Sequence, residues 1–280
     1  MGLMGSLNYT FDVITDKGSA RLNEDAYAIN ARANLFAIFD GASSLTPFTD
    51  KDGKTGAFLA ANIAKEVFEK GDKNLEALAV ETNSNIREAM LKAGIDISDK
   101  LNLWATGLAA IKINEGYFDW IQVSDTLILV QYTDGTYKLL AKDYDHDKEI
   151  LMLMKDLGEK GAENPRASVA PNLEQLRRHL NITYGVIAGE NEIKFLNTGK
   201  ESLKKVKTIL LFSDGLLIPK SDLNKEDDIE TLVREYGKGG LQGWLKYIRA
   251  IERNDPKLST YPRYKQYDDA TAIAVEFKQE

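Results

Sequence analysis

The stretch Leu35-Phe36-Ala37-Ile38-Phe39-Asp40-Gly41 decides how this chain is read. Five apolar residues in a row leave no polar face, so the run predicts a strand buried on both sides. It stops at an Asp-Gly pair. The same design recurs at 206–212, a second apolar run that ends at Asp214-Gly215. Working outward, strands are expected at 7–14, 26–30, 106–113, 117–123, 127–132 and 136–140. Further strands are expected at 184–188, 193–197 and 271–277. Asn114-Glu115-Gly116 and Asp134-Gly135 supply hairpin turns within the meander. Apolar residues at helical spacing predict helices over 55–69, 75–93, 149–158, 172–180, 227–236 and 241–253. Strands come as adjacent hairpins and helices in separate pairs. That order predicts an α+β fold with antiparallel sheets, not alternating βαβ units. No Gly-rich loop follows a strand, so a phosphate-loop or dinucleotide fold is not expected.

The chain has 280 residues and a net charge of -7, from 36 Lys and Arg against 43 Asp and Glu. It carries no linker, repeat or low-complexity block, so one domain over 1–280 is expected. An acidic balance makes nucleic acid a poor partner. No apolar run reaches the length of a membrane span, and no secretory leader opens the sequence. The start Met1-Gly2-Leu3-Met4-Gly5-Ser6 fits a myristoylation pattern, a short pattern that arises by chance. With no cysteine, disulfides, thiol nucleophiles and thiolate zinc sites are excluded. A reducing, cytoplasmic setting is expected. Only His146 and His179 are present, so a His-rich metal site or a Ser-His-Asp triad has little to draw on. Any chemistry falls to carboxylates.

Three of these, Asp40, Asp214 and Asp268, sit where buried strands begin or end. Glu24-Asp25 precedes another strand, and Asp125 lies in the break between two more. Singly, each reads as a turn residue. Together, strand ends of one sheet share an edge, and carboxylates gathered there raise each other's pKa. A divalent cation keeps them ionised. Oxygen-only donors favour Mg²⁺ or Mn²⁺, and two such ions can activate a water and clamp a phosphoryl group.

These residues fall into an order: Arg21-Leu22-Asn23-Glu24-Asp25, Phe39-Asp40-Gly41, Ser124-Asp125-Thr126, Ser213-Asp214-Gly215 and Asp268-Asp269-Ala270-Thr271. The order resembles the metal-dependent protein phosphatases of the type-2C (PPM) family, over nearly the whole chain. Ala105-Thr106-Gly107-Leu108-Ala109-Ala110 resembles the small-residue strand of that family. The resemblance implies a four-layer α-β-β-α sandwich. It also implies hydrolysis of phosphoserine or phosphothreonine in a protein substrate with two Mn²⁺ or Mg²⁺ ions. Carried across, Asp40 bridges the ions, the Gly41 carbonyl binds one, and Asp214 and Asp268 hold the other. Glu24 and Asp25 orient waters, Arg21 grips the phosphate, and Asp125 supports a third ion found in some members. The pattern departs at Ala42, where the family often has a His. It departs also at Ser124 for Gly, at Asp269 for Asn, and at Arg21, which stands one residue closer to Glu24. Two rival readings follow: a regulatory or binding module with little catalysis, and a phosphatase of a small phosphorylated metabolite.

Other features take plainer readings. The acids of 143–147 belong to a helix start, with Asp145-His146 resembling a structural pair of the family. His179 is read as packing, 200–207 as a solvated basic loop, and 222–230 as an acidic helix start. Trp104, Trp120 and Trp244 are read as core or edge aromatics, and 158–171 as a flap near the substrate.

Overall fold

The computed structural model describes residues 8–141 and 145–278. The Met1–Ser6 start, Asp143 and Tyr144 lie outside them. Strands β1 (Tyr9–Asp16), β2 (Asp25–Asn30) and β3 (Leu35–Ala42) come first. Helices α1 (Gly56–Lys70) and α2 (Leu75–Lys92) follow. The meander is β4 (Ala105–Thr106), β5 (Leu108–Asn114), β6 (Tyr117–Val123), β7 (Leu127–Tyr132) and β8 (Tyr137–Leu139). Then come α3 (Lys148–Glu159), α4 (Pro165–Ser168) and α5 (Ala170–Arg178). Strands β9 (Asn197–Ser202) and β10 (Val206–Phe212), α6 (Ile229–Arg253) and β11 (Ala270–Phe277) complete the chain.

One sheet runs β1-β11-β10-β7-β8 and the other β2-β3-β5-β6-β9, with β4 pairing the end of β3; every pairing is antiparallel. The decisive strand shows why its residues are all apolar. Leu35, Ala37 and Phe39 pack with α1 and α2, whereas Phe36 and Ile38 pack against Ile209, Leu211 and Ile273 of the facing sheet. The outer face of that sheet meets α6 through Leu210, Phe212, Trp244 and Ile248. Helices, sheet, sheet and helix thus form four layers, as expected. Caps hold the first two helices, Thr55 accepting from the Phe58 amide and Asn74 from the Ala77 amide. Trp104 and Trp244 are core residues, and Trp120 is nearly so.

The structure departs from the sequence reading in three places. The 184–188 run is not a strand. It makes only isolated bridges, Thr106 with Ile187 and Tyr184 with Leu180. Gly185 passes so near the Lys194 carbonyl and Val123 that the segment folds across the chain. The strand placed at 193–197 lies instead at Asn197–Ser202, through part of the expected basic loop. It is an edge strand whose faces are largely solvated, so it carries no apolar signature. The helices expected over 227–236 and 241–253 are both present, parted at Gly239 and Gly240, whose backbone is not helical, the latter at φ +61°; the first of them opens α6. That helix starts at Ile229, with Asp228 as its cap, so only the end of the acidic 222–230 stretch is helical.

Candidate active site

Antiparallel pairing brings the start of β2, the end of β3, the β6–β7 turn, the end of β10 and the start of β11 to one edge of the sandwich. Register then matches the acids. Asp25 lies directly across from Asp40. Phe212 pairs with both Leu127 and Ala272, which brings the residues flanking those strands, Asp125, Asp214 and the Asp268-Asp269 pair, to the same end. Asp40 is perturbed by Asp25, Asp214, Asp125 and Asp268, so the five carboxylates share one electrostatic space. Burial first, and these neighbours second, push the Asp40 and Asp214 carboxyls well above the usual range. Burial raises the Asp25 carboxyl to about 7, with Asp269 and Asp268 adding to the rise. Asp40, Asp125, Asp214 and Asp268 all keep part of their surface open, while Glu24 and Asp25 are buried behind them.

Hydrogen bonds fix the buried acids. The Asp25 carboxylate accepts from Ser213 Oγ at 2.7 Å, which ties β2 to the end of β10. Glu24 accepts from the hydroxyls of Ser43 and Thr55, so the cap of α1 also orients this carboxylate. Asp269 accepts from the Gly18 amide at 2.8 Å and the Glu24 amide at 2.9 Å. That network explains the extra charge at this position: its carboxylate ties the loop before β2 to the start of β11.

Neither glycine of the two Asp-Gly pairs has a positive φ. Both answer to close approach. A Cβ at Gly41 would lie 2.5 Å from the Glu24 carbonyl and 2.7 Å from that of Ala57; at Gly215 it would lie 1.9 Å from the Asp269 carbonyl. The positive φ falls instead on Ser124, at +68°, whose hydroxyl lies 2.9 Å from Asp125 Oδ1.

A cavity of about 160 Å³ opens beside the acids, lined by Asp125, Asp147, Asp214, Lys220, Lys265 and Asp268 among others. Lys265 Nζ donates to Asp268 Oδ1 at 2.7 Å. His146 stacks on Tyr184 at 4.4 Å and 3°, with Nε2 3.9 Å from Asp125. Arg177 of α5 donates to the Ser43 carbonyl, just past Ala42, and burial lowers its pKa. His179 Nδ1 lies 2.7 Å from the Gln175 carbonyl oxygen, at hydrogen-bond distance, at the end of that helix. Arg21 is exposed. Its guanidinium lies on the Gly53 turn and, among the described residues, makes no hydrogen bond or ion pair with the clustered acids. Arg177 and Lys265 escaped the sequence reading, since neither falls in a motif. Only the spacing Lys265–Asp268, within a loop that enters a strand, hinted at the second.

Among the described residues, no three acids or histidines stand close enough together to hold a metal ion as they are placed. The donor set nevertheless fits hard divalent ions. Every donor is an oxygen. Burial first, and the neighbouring carboxylates second, drive Asp40 and Asp214 toward the protonated form, and a bound dication would favour the ionised form instead.

The family pattern described as Protein phosphatase 2C matches residues 17–243. The chain belongs to the protein phosphatase 2C family. Membership makes it a protein phosphatase. Several solved structures share the fold. The serine/threonine phosphatase PstP/Ppp of Mycobacterium tuberculosis superposes with a TM-score of 0.58 at 19% identity, covering 98% of this chain and 100% of that one. Stp1 of Staphylococcus aureus gives 0.60 at 16% identity, covering all of both chains. A PstP catalytic domain in complex with 2 manganese ions gives 0.56 at 17%, covering 97% of this chain and 99% of its own. No curated protein matches the sequence. Among the described residues, no helix is long and apolar enough to cross a membrane.

Proposed function

We propose that this protein phosphatase hydrolyses phosphoserine and phosphothreonine in proteins with two Mn²⁺ or Mg²⁺ ions at the shared strand edge. The observation that carries the reading is the convergence of Asp25, Asp40, Asp125, Asp214 and Asp268 on one strand edge, where Asp25 faces Asp40 in register and Asp125, Asp214 and Asp268 line one cavity. Asp40, the Gly41 carbonyl, Asp214 and Asp268 would hold the two ions. Asp125 is assigned a third, weaker ion. When bound, the ions neutralise the phosphoryl oxygens and acidify the attacking water. Glu24, braced by Ser43 and Thr55, and Asp25, braced by Ser213, would accept hydrogen bonds from waters at the site and so orient them. Gly41 and Gly215 let the backbone close around the acids. The reading treats 1–280 as one catalytic unit.

The test is hydrolysis of a phosphopeptide by the purified chain. Turnover is expected with Mn²⁺ and none in EDTA. Asp40→Asn and Asp214→Asn should each lower kcat by about 10²-fold or more, since each removes charge that holds an ion. Turnover that survives EDTA would overturn the reading. Binding of phosphopeptide without turnover would favour the regulatory module, to which the missing His at Ala42 points. Turnover of small phosphate esters alone would favour a metabolite substrate.

A further inference from the structure

Lys265 stands where a cation is out of place. Its ammonium is 2.7 Å from Asp268, a carboxylate assigned to an ion, and it lines the cavity that also holds Asp125 and Asp214. A fixed positive charge there repels any dication that joins it, so it weakens metal binding unless it serves something else. Asp268 shows how both fit. Its Oδ1 accepts from Lys265 and from the Asp269 amide, whereas Oδ2 takes no hydrogen bond among the described residues. One carboxylate therefore holds the lysine on one oxygen and keeps the other for an ion. Asp268 is in turn held from behind, its carbonyl accepting from Arg249 at 2.6 Å.

An ammonium has three donors. Among the described residues Asp268 is the sole side chain that Lys265 bonds, which leaves donors facing the cavity. Charge points the same way. A site so rich in carboxylates disfavours a phosphate dianion, and the Lys265 ammonium at the cavity wall offsets that repulsion. Three other cations nearby are engaged elsewhere. Arg177 holds the Ser43 carbonyl, Lys220 pairs with Asp227 at 3.0 Å, and Arg263 is bound into the Asp255 loop. Arg21 lies at the Gly53 turn.

We propose that Lys265, anchored by Asp268, is the phosphate-binding cation of this site, contacting the phosphoryl group of the substrate from the cavity side. The inference rests on the two-ion reading above. It assigns to Lys265 the contact that the resemblance gave to Arg21.

The experiment compares wild type, Lys265→Met and Lys265→Arg, each saturated with Mn²⁺. In Lys265→Met, KM for a phosphopeptide and the inhibition constant of inorganic phosphate should both rise by about 10-fold or more, the scale of one lost charge-assisted hydrogen bond. Lys265→Arg should restore most of both. Calorimetric titration of metal-free protein should show Lys265→Met binding Mn²⁺ at least as tightly as wild type, because a like charge has gone. Weakened Mn²⁺ binding with unchanged phosphate inhibition would overturn the inference and leave Lys265 as a prop for Asp268. Equal phosphate inhibition in wild type and both variants would overturn it as well. Absence of Mn²⁺-dependent turnover in wild type would instead overturn the two-ion reading.

Discussion

Two residue types that look alike in the sequence do different work. Asp-Gly is the commonest turn pair, and a positive φ is its usual reason. At Asp40-Gly41 and Asp214-Gly215 the φ is ordinary, and the missing side chain makes room for a carbonyl. That is why each acid alone reads as a turn residue while the set converges on one strand edge. Ser124 shows the converse. It stands where the family has Gly and adopts φ +68°, a conformation costly for a residue with a Cβ. Ser124→Gly should therefore stabilise the fold by about 1 kcal/mol, less the loss of the hydroxyl contact to Asp125. A thermal melt checks it; an unchanged or lower Tm would show that the hydroxyl matters more than the strain. The acids were legible from the sequence because they end apolar runs. Lys265 and Arg177 were not, since their meaning comes only from what the chain folds against them.

At the scale of elements, β3, β6, β7, β10 and β11 fell at or near their observed bounds because their residues are apolar on one or both buried faces. The edge strand β9 has no such signal, and 184–188 has the signal without the partner. The long helix α6 contributes more than an outer layer. Arg249 on its inner face bonds Asp16 at 3.0 Å, Glu252 at 2.9 Å and the Asp268 carbonyl. Arg249 and Glu252 are both buried. Removing one partner of a buried pair leaves the other uncompensated. Arg249→Met should destabilise the fold by about 3–5 kcal/mol in denaturant titration. It should also weaken Mn²⁺ binding, because the backbone of Asp268 loses its anchor. Loss of stability with unaltered Mn²⁺ affinity would separate the helix from the site.

For the whole molecule, the edge of the sandwich concentrates negative charge in a chain that already carries -7. Without metal this has a cost that depends on pH. The Asp25 carboxyl sits at about 7 in the folded chain against an ordinary value of 3.8. Between those values the unfolded chain gives up a proton that the folded chain keeps, so stability falls as pH rises. Asp40 and Asp214 shift in the same direction and add to the slope. In EDTA, Tm should therefore fall steadily from about pH 5 to about pH 8. Mn²⁺ should raise it most at the alkaline end, where the carboxylates are ready to bind and ligation of the folded state is strongest. A flat profile in EDTA would mean that the acids are not in fact crowded together.

The most direct measurement is anomalous diffraction from a crystal of this protein grown with Mn²⁺. Two peaks are expected at the strand edge, both against Asp40, one shared with the Gly41 carbonyl and the other with Asp214 and Asp268. An edge free of manganese at saturating concentration, or peaks lying away from those side chains, would contradict the account.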